Sequence, residues 1–189
     1  MSVSELYILR VKGQKLSTES FARFGTYGEM PSRPPDWSAS GSRIAGVREG
    51  SFEEGEPVAN IWRLGDLIFK GGDPYIGFVQ YYHQGFRVAQ LERHVHETQT
   101  WLALRGIAFF LVAPPTGTGE VPNPESVQAF FMEPGDVVSI GVGVWMCHFF
   151  PIVDVGQYVV VTARRDPEQD RDLVNFLETR NTVLELVLS

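Results

Sequence analysis

Residues 58–165 form a succession of short apolar or alternating segments separated by turn signals, and this pattern constrains the fold more than any other feature. Two of the turns are GGDP (71–74) and EPGD (133–136). The segments predicted to be strands read VANIWRLGDLIF, IGFVQYYHQ, FRVAQLERHVH, TWLALRGIAFFLVAPP, VQAFFM, DVVSIGV, VWMCHFFPI and QYVVVTARR. Many short strands at regular spacing indicate an all-β sandwich or barrel. The sequence lacks the strand–helix alternation and the glycine loop of a nucleotide-binding α/β fold.

The N-terminal region shows other patterns. ELYILRVKG (5–13) predicts a strand. LSTESFARFGTYGEM (16–30) predicts a helix that Ser17 caps, with Phe21 and Phe24 at helical spacing and Gly25 after them. Residues 31–57 are rich in proline, glycine, serine and acidic residues, which predicts a long loop. Such an insertion is typical of a lid, a dimer arm or a mobile segment.

The C-terminal segment DPEQDRDLVNFLETR (166–180) predicts a helix, with Asp166 as its cap and Pro167 in its first turn. Its apolar stripe would consist of Leu173, Val174, Phe176 and Leu177. The tail, residues 181–189, is compatible with a continued helix or a final strand, and we favour the strand. We therefore expect one domain with an N-terminal arm and loop (1–57), a barrel (58–165) and a C-terminal helix and tail (166–189).

Charge and composition argue against several kinds of partner. The formal net charge is −7, and no run of lysine or arginine could neutralise a nucleic-acid backbone. The longest apolar stretch, SIGVGVWMCHFFPIV, is too short to span a membrane, and a basic membrane-surface helix is missing. Cys147 is the single cysteine, so an internal disulfide is impossible. Because the N-terminus also lacks an apolar core of signal-peptide type, we expect a cytoplasmic protein.

The segment LERHVHETQTWLALRG (91–106) contains two of the four histidines, one residue apart. Because side chains alternate across a strand, Gln90, Glu92, His94 and His96 are expected to share one face. Four polar residues on one face of a barrel strand indicate either contact with water or a polar pocket. Two imidazoles on one side of a strand suit a metal ion, and they are equally compatible with a surface or hydrogen-bonded pair.

The spacing of the following residues resembles the two-motif pattern of the cupin superfamily. Gln99 and Gly106 follow the histidine pair, and a later segment, EPGDVVSIGVGVWMCHFF, combines a Pro-Gly turn, a strand and His148. The resemblance implies a cupin-like double-stranded β-helix, or jelly-roll, barrel. It also implies that His94, His96, Gln99 and His148 converge in the barrel on a divalent metal ion, for example nickel, zinc, manganese or iron.

Three segments are similar to the ureidoglycolate lyase family in more detail. They are KLSTESFARFGTYGEM, ERHVHETQTWLALRGIAFFLVAPP and VQAFFMEPGDVVSIGVGVWMCHFFPI, and YVVVTARR stands where the family has a strand that ends in Asp-Arg. The similarity covers approximately residues 16–28 and 90–165. Residues 30–85 match nothing in the family pattern.

The chain departs from the family pattern at three places. Val95 replaces the proline that follows the first histidine, and no aspartate precedes Arg164. Met146, Cys147 and His148 follow the tryptophan, where the family has a histidine directly after it. Since Met146 and His148 are expected on one strand face, His148 is expected to take a similar pocket position one step further along. These departures concern the substrate more than the fold.

The resemblance implies the cleavage of ureidoglycolate, a small carboxylate, into glyoxylate and urea. In this scheme His94, His96 and His148 hold the metal, and Gln99 is a neutral fourth ligand. Glu92 is the candidate acid/base, because a base must take the hydroxyl proton and an acid must protonate the departing urea. Arg93, Gln99 and Trp145 are the candidate substrate-binding residues.

Several of the residues in these segments are also compatible with a purely structural role. Glu92 is equally suited to pair with an arginine such as Arg87 or Arg164, and Arg93 is expected to face away from the histidines in a surface salt bridge. Trp145 suits either the packed core or a pocket wall, and Cys147 suits a small buried apolar position.

Two other functions remain open at this point. One is a different metal-dependent cupin enzyme, namely a dioxygenase or an isomerase, and the other is a non-catalytic barrel that binds a small acid or sugar. By analogy with barrels that pair through edge strands or swapped arms, we also expect a homodimer.

Overall fold

The computed structural model describes residues 6–29, 65–164 and 170–187. The strands are β1 Tyr7–Lys15, β2 Gly25–Glu29, β3 Asp73–Tyr82, β4 Arg87–Val88, β5 Gln90–His94, β6 Gln99–Arg105, β7 Ala108–Ala113, β8 Gln128–Met132, β9 Asp136–Ile140, β10 Trp145–Met146, β11 Phe150–Pro151, β12 Val155–Arg164, β13 Arg171–Asn175 and β14 Thr182–Val187. The helices whose bounds are described are α1 Thr18–Phe21 and α2 Phe176–Arg180, and residues Pro124–Ser126 form a 3₁₀ turn.

The strands of the described residues form two sheets. The first sheet has the order β13-β5-β10-β7-β8-β1-β14-β4, and β11 also pairs with β7. The second sheet has the order β2-β9-β6-β12-β3. Most neighbouring strands are antiparallel, but β1 runs parallel to both β8 and β14.

An apolar barrel interior lies between the two sheets. The first sheet contributes residues such as Phe110, Phe130 and Met146, and the second contributes residues such as Trp101 and Tyr158. Neighbouring residues of one strand alternate between this interior and the opposite face, as strand geometry requires. The prediction of an all-β barrel is thereby confirmed.

A second apolar core covers the other face of the first sheet. Phe109, Leu111 and Trp145 pack there against residues of the chain ends, including Val11 and Leu184. Every residue of β7 is therefore buried, which explains why its sequence, AFFLVA, is a continuous apolar run instead of an alternating one.

The predicted C-terminal helix is wrong over residues 171–175, which form strand β13 beside β5. The four apolar residues of the predicted stripe do not share one buried face. Val174 and Phe176 are buried, whereas Leu173 and Leu177 are 50% and 43% exposed. The ladder to β5 and burial in the second core determine the conformation of residues 171–175, and the residues after them, Phe176–Arg180, are helical. The final strand favoured for the tail is confirmed by β14.

The N-terminal helix is shorter than predicted, because it ends at Phe21 and the chain continues into strand β2. Ser17 caps it as expected, since its hydroxyl accepts a hydrogen bond from the Ser20 amide at 3.0 Å. The predicted strand at 58–69 has only a single bridge, at Phe69, within its described part. The long loop predicted for residues 31–57 lies outside the described residues. No described helix combines the length and apolar character needed to cross a membrane.

Candidate active site

Strand β5 carries the predicted polar face as far as His94. Leu91 belongs to the second core, so Glu92 and His94 point to the opposite side, toward the barrel interior. Glu92 stands directly opposite Met146, a residue of that interior. The strand ends at His94, and His96 lies in a bend, so His96 does not continue the alternation.

Asp170 fixes this bend from the C-terminal part of the chain. The amide of Val95 donates to its backbone carbonyl at 3.1 Å, and the amide of His96 donates to its Oδ1 at 3.1 Å. The bend turns the chain so that Glu97, which comes next, is buried beside His94.

His94, Glu97 and Asp170 form a compact group whose nearest ligand atoms lie within 4.8 Å of one another. The Nδ1 atom of His94 is 2.7 Å from Oδ2 of Asp170 and 3.6 Å from Oε1 of Glu97. Glu97 and Asp170 are 1% and 3% exposed, whereas His94 is half-buried. Two carboxyl groups in a site with so little water need a nearby positive charge or strong hydrogen bonds.

Hydrogen bonds from Thr162 and Gln99 determine how His94 is oriented. The Thr162 hydroxyl donates to Oε1 of Glu97 at 2.5 Å, so its oxygen accepts the Gln99 Nε2–H at 3.3 Å. The same amide nitrogen faces Nε2 of His94 at 2.9 Å. Because Nε2 accepts this hydrogen bond, the imidazole hydrogen lies on Nδ1 and is donated to Asp170.

The donor set fits a divalent cation. One imidazole and two carboxylates are ligands that zinc, manganese and iron accept. A bound ion would replace one of the two hydrogen bonds of the His94 ring, to Gln99 or to Asp170. The carboxylate oxygens are oriented by N–H and O–H donors, such as the Ala163 amide 2.8 Å from Oε2 of Glu97. Hydrogen bonds of this kind orient metal ligands in proteins.

A cleft of about 360 Å³ opens along β5 and β13, and we call it the Arg171 cleft. Glu92 and Arg171 line it, whereas His94, Glu97 and Asp170 are not among its lining residues. Its walls include Gln90, Glu92, Met146, His148, Arg171 and Leu173. Arg171 Nη1 donates to Oε2 of Glu92 at 3.1 Å. Glu92 is therefore paired with an arginine, as the structural alternative in the sequence analysis predicted. The partner is Arg171, however, and neither Arg87 nor Arg164.

His148 lies at this cleft and outside the His94 group. Its ring packs on Tyr81, with centroids 5.5 Å apart, and on Phe150 at 4.5 Å. Loss of water around the ring lowers the pKa of His148, and the Glu92 carboxylate acts in the opposite sense. Burial, reinforced by Glu92, raises the pKa of Tyr81 to about 12.

Arg93 and Trp145 face the second core. The Arg93 guanidinium, 4% exposed, contacts Asp172 at 2.7 Å and lies 4.7 Å above the Trp145 ring. Arg93 also donates to the Thr116 carbonyl at 2.7 Å, and the Trp145 indole donates to the Thr116 hydroxyl at 3.0 Å. These contacts hold the loop after β7. Both side chains lie on the face of the first sheet that is opposite to the face carrying His94.

The structure thus brings His94 and Gln99 together but adds residues that the sequence analysis did not single out. His96 and His148 are outside the group of potential ligands found among the described residues, and Glu97 and Asp170 belong to it. Glu97 sits between the two residues singled out, His96 and Gln99, and a burial pattern extended through the bend could have indicated it. Asp170 lay in the segment predicted as helix, so no local signal pointed to its place beside His94.

Comparison with known proteins gives a consistent match. The family model described as ureidoglycolate lyase matches residues 8–184. A curated relative, the ureidoglycolate lyase of Schizosaccharomyces pombe (strain 972 / ATCC 24843), is 24% identical over 163 residues, which cover 82% of this chain and 83% of the relative.

Solved structures show more distant similarity. A dTDP sugar isomerase from Desulfovibrio desulfuricans G20 is similar with a TM-score of 0.41 and 18% identity, over 63% of this chain and 74% of that chain. An oxalate decarboxylase from Bacillus subtilis is similar with a TM-score of 0.37 and 11% identity, over 55% of this chain. The match spans only 24% of the oxalate decarboxylase chain.

Proposed function

Because the chain belongs to the ureidoglycolate lyase family, we propose that it cleaves ureidoglycolate, or a related small hydroxy-acid amide, into glyoxylate and urea. The observation that carries the proposal is the family match over residues 8–184. Two features of the site support it: the oriented polar group of His94, Glu97 and Asp170, and a cleft lined by Glu92 and Arg171, the neighbours of His94 on β5 and β13.

The reaction breaks one C–N bond and forms one C=O bond. A base removes the proton of the substrate hydroxyl, the oxygen's electron pair forms the carbonyl of glyoxylate, and the C–N electrons leave with the urea nitrogen. A proton delivered to that nitrogen completes urea, so one proton is taken up and one is returned.

Glu92 is our candidate for this proton transfer. Its carboxylate lines the cleft on the same strand face as His94, two residues away. Gln99 and Asp170 hold the His94 imidazole from its two nitrogens, which fixes the ring relative to the cleft.

We further propose that His94, Glu97 and Asp170, with Gln99 nearby, hold a divalent cation such as nickel, zinc, manganese or iron. Bound there, the ion would act as a Lewis acid on the substrate oxygens. His96 and His148, which the sequence suggested as further ligands, are outside the group on which this proposal rests.

The first experiment measures glyoxylate release from ureidoglycolate by wild type, His94→Ala and Glu97→Gln. His83→Gln is the matched control, because His83 contacts the Pro151 carbonyl at 2.7 Å and does not belong to the group. We expect the two site variants to lose at least about 100-fold in kcat/KM and the control to stay within about twofold. A folded wild-type protein that releases no glyoxylate, with or without added metal, would contradict the proposed reaction.

The cation has its own test. Chelation should remove the metal, lower the melting temperature of the wild type and leave that of His94→Ala unchanged, because a ligand bound to the native state stabilises it. Elemental analysis of both proteins gives the ion's identity. If chelation changes neither melting temperature nor activity, the group acts through its hydrogen bonds alone.

A further inference from the structure

We propose that Arg171 is the substrate-anchoring residue of the cleft and binds the carboxylate group of the substrate. This inference deepens the proposed function and rests on it. The sequence analysis assigned substrate binding to Arg93, Gln99 and Trp145, and neither the fold prediction nor the family resemblance pointed to Arg171.

The β5–β13 ladder places Arg171 next to the candidate active site. Arg171 is the direct Cα partner of His94 in this antiparallel pair, and it follows Asp170 in the chain. Directly opposite residues of an antiparallel pair point to the same face, with Cα atoms about 5 Å apart. The Arg171 side chain therefore starts on the face that carries His94 and Glu92.

The guanidinium of Arg171 is accessible, in contrast to that of its neighbour Arg93. The Arg171 side chain is 40% exposed and lines the cleft, whereas Arg93 is buried among Asp172, Thr116 and Trp145. Arg87 also lines the cleft, but its guanidinium makes two hydrogen bonds, of 3.1 and 3.0 Å, to Glu185 at the sheet edge. Of these three arginines, Arg171 is the one positioned to meet a ligand in the cleft.

The contact between Arg171 and Glu92 shows that this guanidinium already binds a carboxylate. The bond, 3.1 Å from Nη1 to Oε2, uses one of the five N–H donors of the arginine. A guanidinium matches a carboxylate through two parallel hydrogen bonds, and this geometry makes arginine the usual anchor for small carboxylic acids. A substrate carboxylate can thus share Arg171 with Glu92 or displace Glu92 from it.

Displacement of Glu92 from Arg171 would couple substrate binding to the proton transfer. When the substrate carboxylate takes the Arg171 hydrogen bond, the Glu92 carboxylate is released beside the substrate hydroxyl, where the proposed reaction needs a base. A cleft of about 360 Å³ lies within the size range of small-ligand sites and accommodates ureidoglycolate beside both residues.

The test compares wild type with Arg171→Gln and Arg171→Lys, and uses Arg87→Gln as the matched control in the same cleft. For ureidoglycolate, we expect Arg171→Gln to raise KM by about 10- to 100-fold with a smaller change in kcat, since hydrogen bonds to charged groups carry this range of affinity. Arg171→Lys should recover part of the loss because it keeps the charge without the planar fork. Arg87→Gln should stay within about twofold.

A substrate without the carboxylate separates anchoring from a structural effect. (Hydroxymethyl)urea keeps the hydroxyl and the ureido group of ureidoglycolate but lacks the acid. Arg171→Gln should leave kcat/KM for this compound within about twofold of wild type. An equal loss with both compounds would overturn the proposal, because Arg171 would then act on the fold or on Glu92 alone, and so would an unchanged KM for ureidoglycolate.

Calorimetric titration with sodium glyoxylate distinguishes failure of this inference from failure of the proposed reaction. Glyoxylate should bind to wild type and to Arg87→Gln, and about 10-fold or more weakly to Arg171→Gln. If wild type turns nothing over yet binds glyoxylate through Arg171, the carboxylate site stands and the reaction is wrong. Equal binding to wild type and Arg171→Gln would contradict the anchor even if the reaction is confirmed.

Discussion

At the scale of single residues, the site depends on Thr162, whose hydroxyl has two simultaneous roles. It donates to Glu97 and accepts from Gln99, and this direction determines which nitrogen of His94 carries the hydrogen. A small side chain on β12 thereby controls the hydrogen bonding of an imidazole on β5.

Thr162→Val removes that hydroxyl with little change of shape. We expect the free energy of unfolding to fall by about 1–3 kcal/mol, because the buried Glu97 oxygen loses a donor and Gln99 loses an acceptor. Denaturant titration measures this change. Thr162→Ser is the control, since it keeps the hydroxyl, and a valine variant as stable as the serine variant would contradict the role of the hydrogen bond.

Cys147 offers a second prediction at this scale. Its thiol is buried, accepts a hydrogen bond from the Leu111 amide at 3.2 Å, and burial raises its pKa to about 12. Thiol reagents attack the thiolate, so the native protein at pH 8 should stay essentially unlabelled by a disulfide reagent such as DTNB. In denaturant one thiol per chain should react at once, and rapid labelling of the native state would contradict the burial.

Whether the sequence predicts a site residue depends on whether the neighbouring residues carry a signal for it. His94 and Gln99 could be identified because a strand pattern and a motif spacing surround them, both of which are local. Glu97 and Asp170 were not identified, because the first follows a bend that breaks the alternation and the second reaches the site from the C-terminal part of the chain. Contacts between residues that are distant in the sequence leave no pattern in the residues around either partner.

At the scale of elements, β13 was the segment whose secondary structure was hardest to predict. Its apolar residues fit a helical period as well as an alternating one, and pairing with β5 decides between them. Strands β8, β9 and β12 were predicted near their observed places, since runs of β-branched and aromatic residues between turn signals leave less ambiguity. Strands β6 and β7 were predicted as one segment, which the turn at Gly106 divides.

The turn between β6 and β7 requires a glycine. Gly106 has φ = +80°, and a Cβ atom there would lie 2.5 Å from the Val155 carbonyl oxygen. Gly85 has φ = +82°, and no atom lies within 4 Å of the place where its Cβ would be. An alanine at Gly85 therefore measures the cost of the backbone conformation alone. We expect Gly85→Ala to cost about 1 kcal/mol and Gly106→Ala about 3 kcal/mol or more in free energy of unfolding. Equal costs in denaturant titration would show that the Val155 contact is easily relieved.

The edge of the first sheet has a pH-dependent contact. Glu185 on β14 pairs with Arg10 on β1 and Arg87 on β4, and the Arg87 hydrogen bond holds the pKa of Glu185 below its usual value. A carboxyl with a lowered pKa in the folded state stabilises the protein above its unfolded pKa, and this stabilisation is lost as the pH falls through the folded value.

Glu185→Gln should therefore lower the melting temperature slightly at pH 7, and the difference from wild type should vanish in acid. Scanning calorimetry from pH 7 to pH 3 measures it. Added salt at pH 7 should reduce the difference, because the pair is near the surface. A difference that persists below pH 3 would indicate that the charge is not the cause.

At the scale of the whole molecule, two apolar cores share the first sheet. The barrel interior lies on one face and the packing with the chain ends on the other, so the face that carries the candidate site is supported from behind by a second core. The homodimer and the cytoplasmic location expected from the sequence stay predictions, and light scattering of the purified protein tests the first of them.

The parallel pairing of β1 with β14 has a consequence for synthesis. Arg10 and Glu185, partners in this pair, are 175 positions apart. At about 5–20 residues per second, a ribosome needs roughly 9–35 s to supply β14 after β1 has been made. During that time the apolar side of β1, including Val11, lacks Leu186, its partner in the second core. Strand β1 thus leaves the ribosome long before its partner β14, and nascent chains should need chaperone protection until β14 has been made.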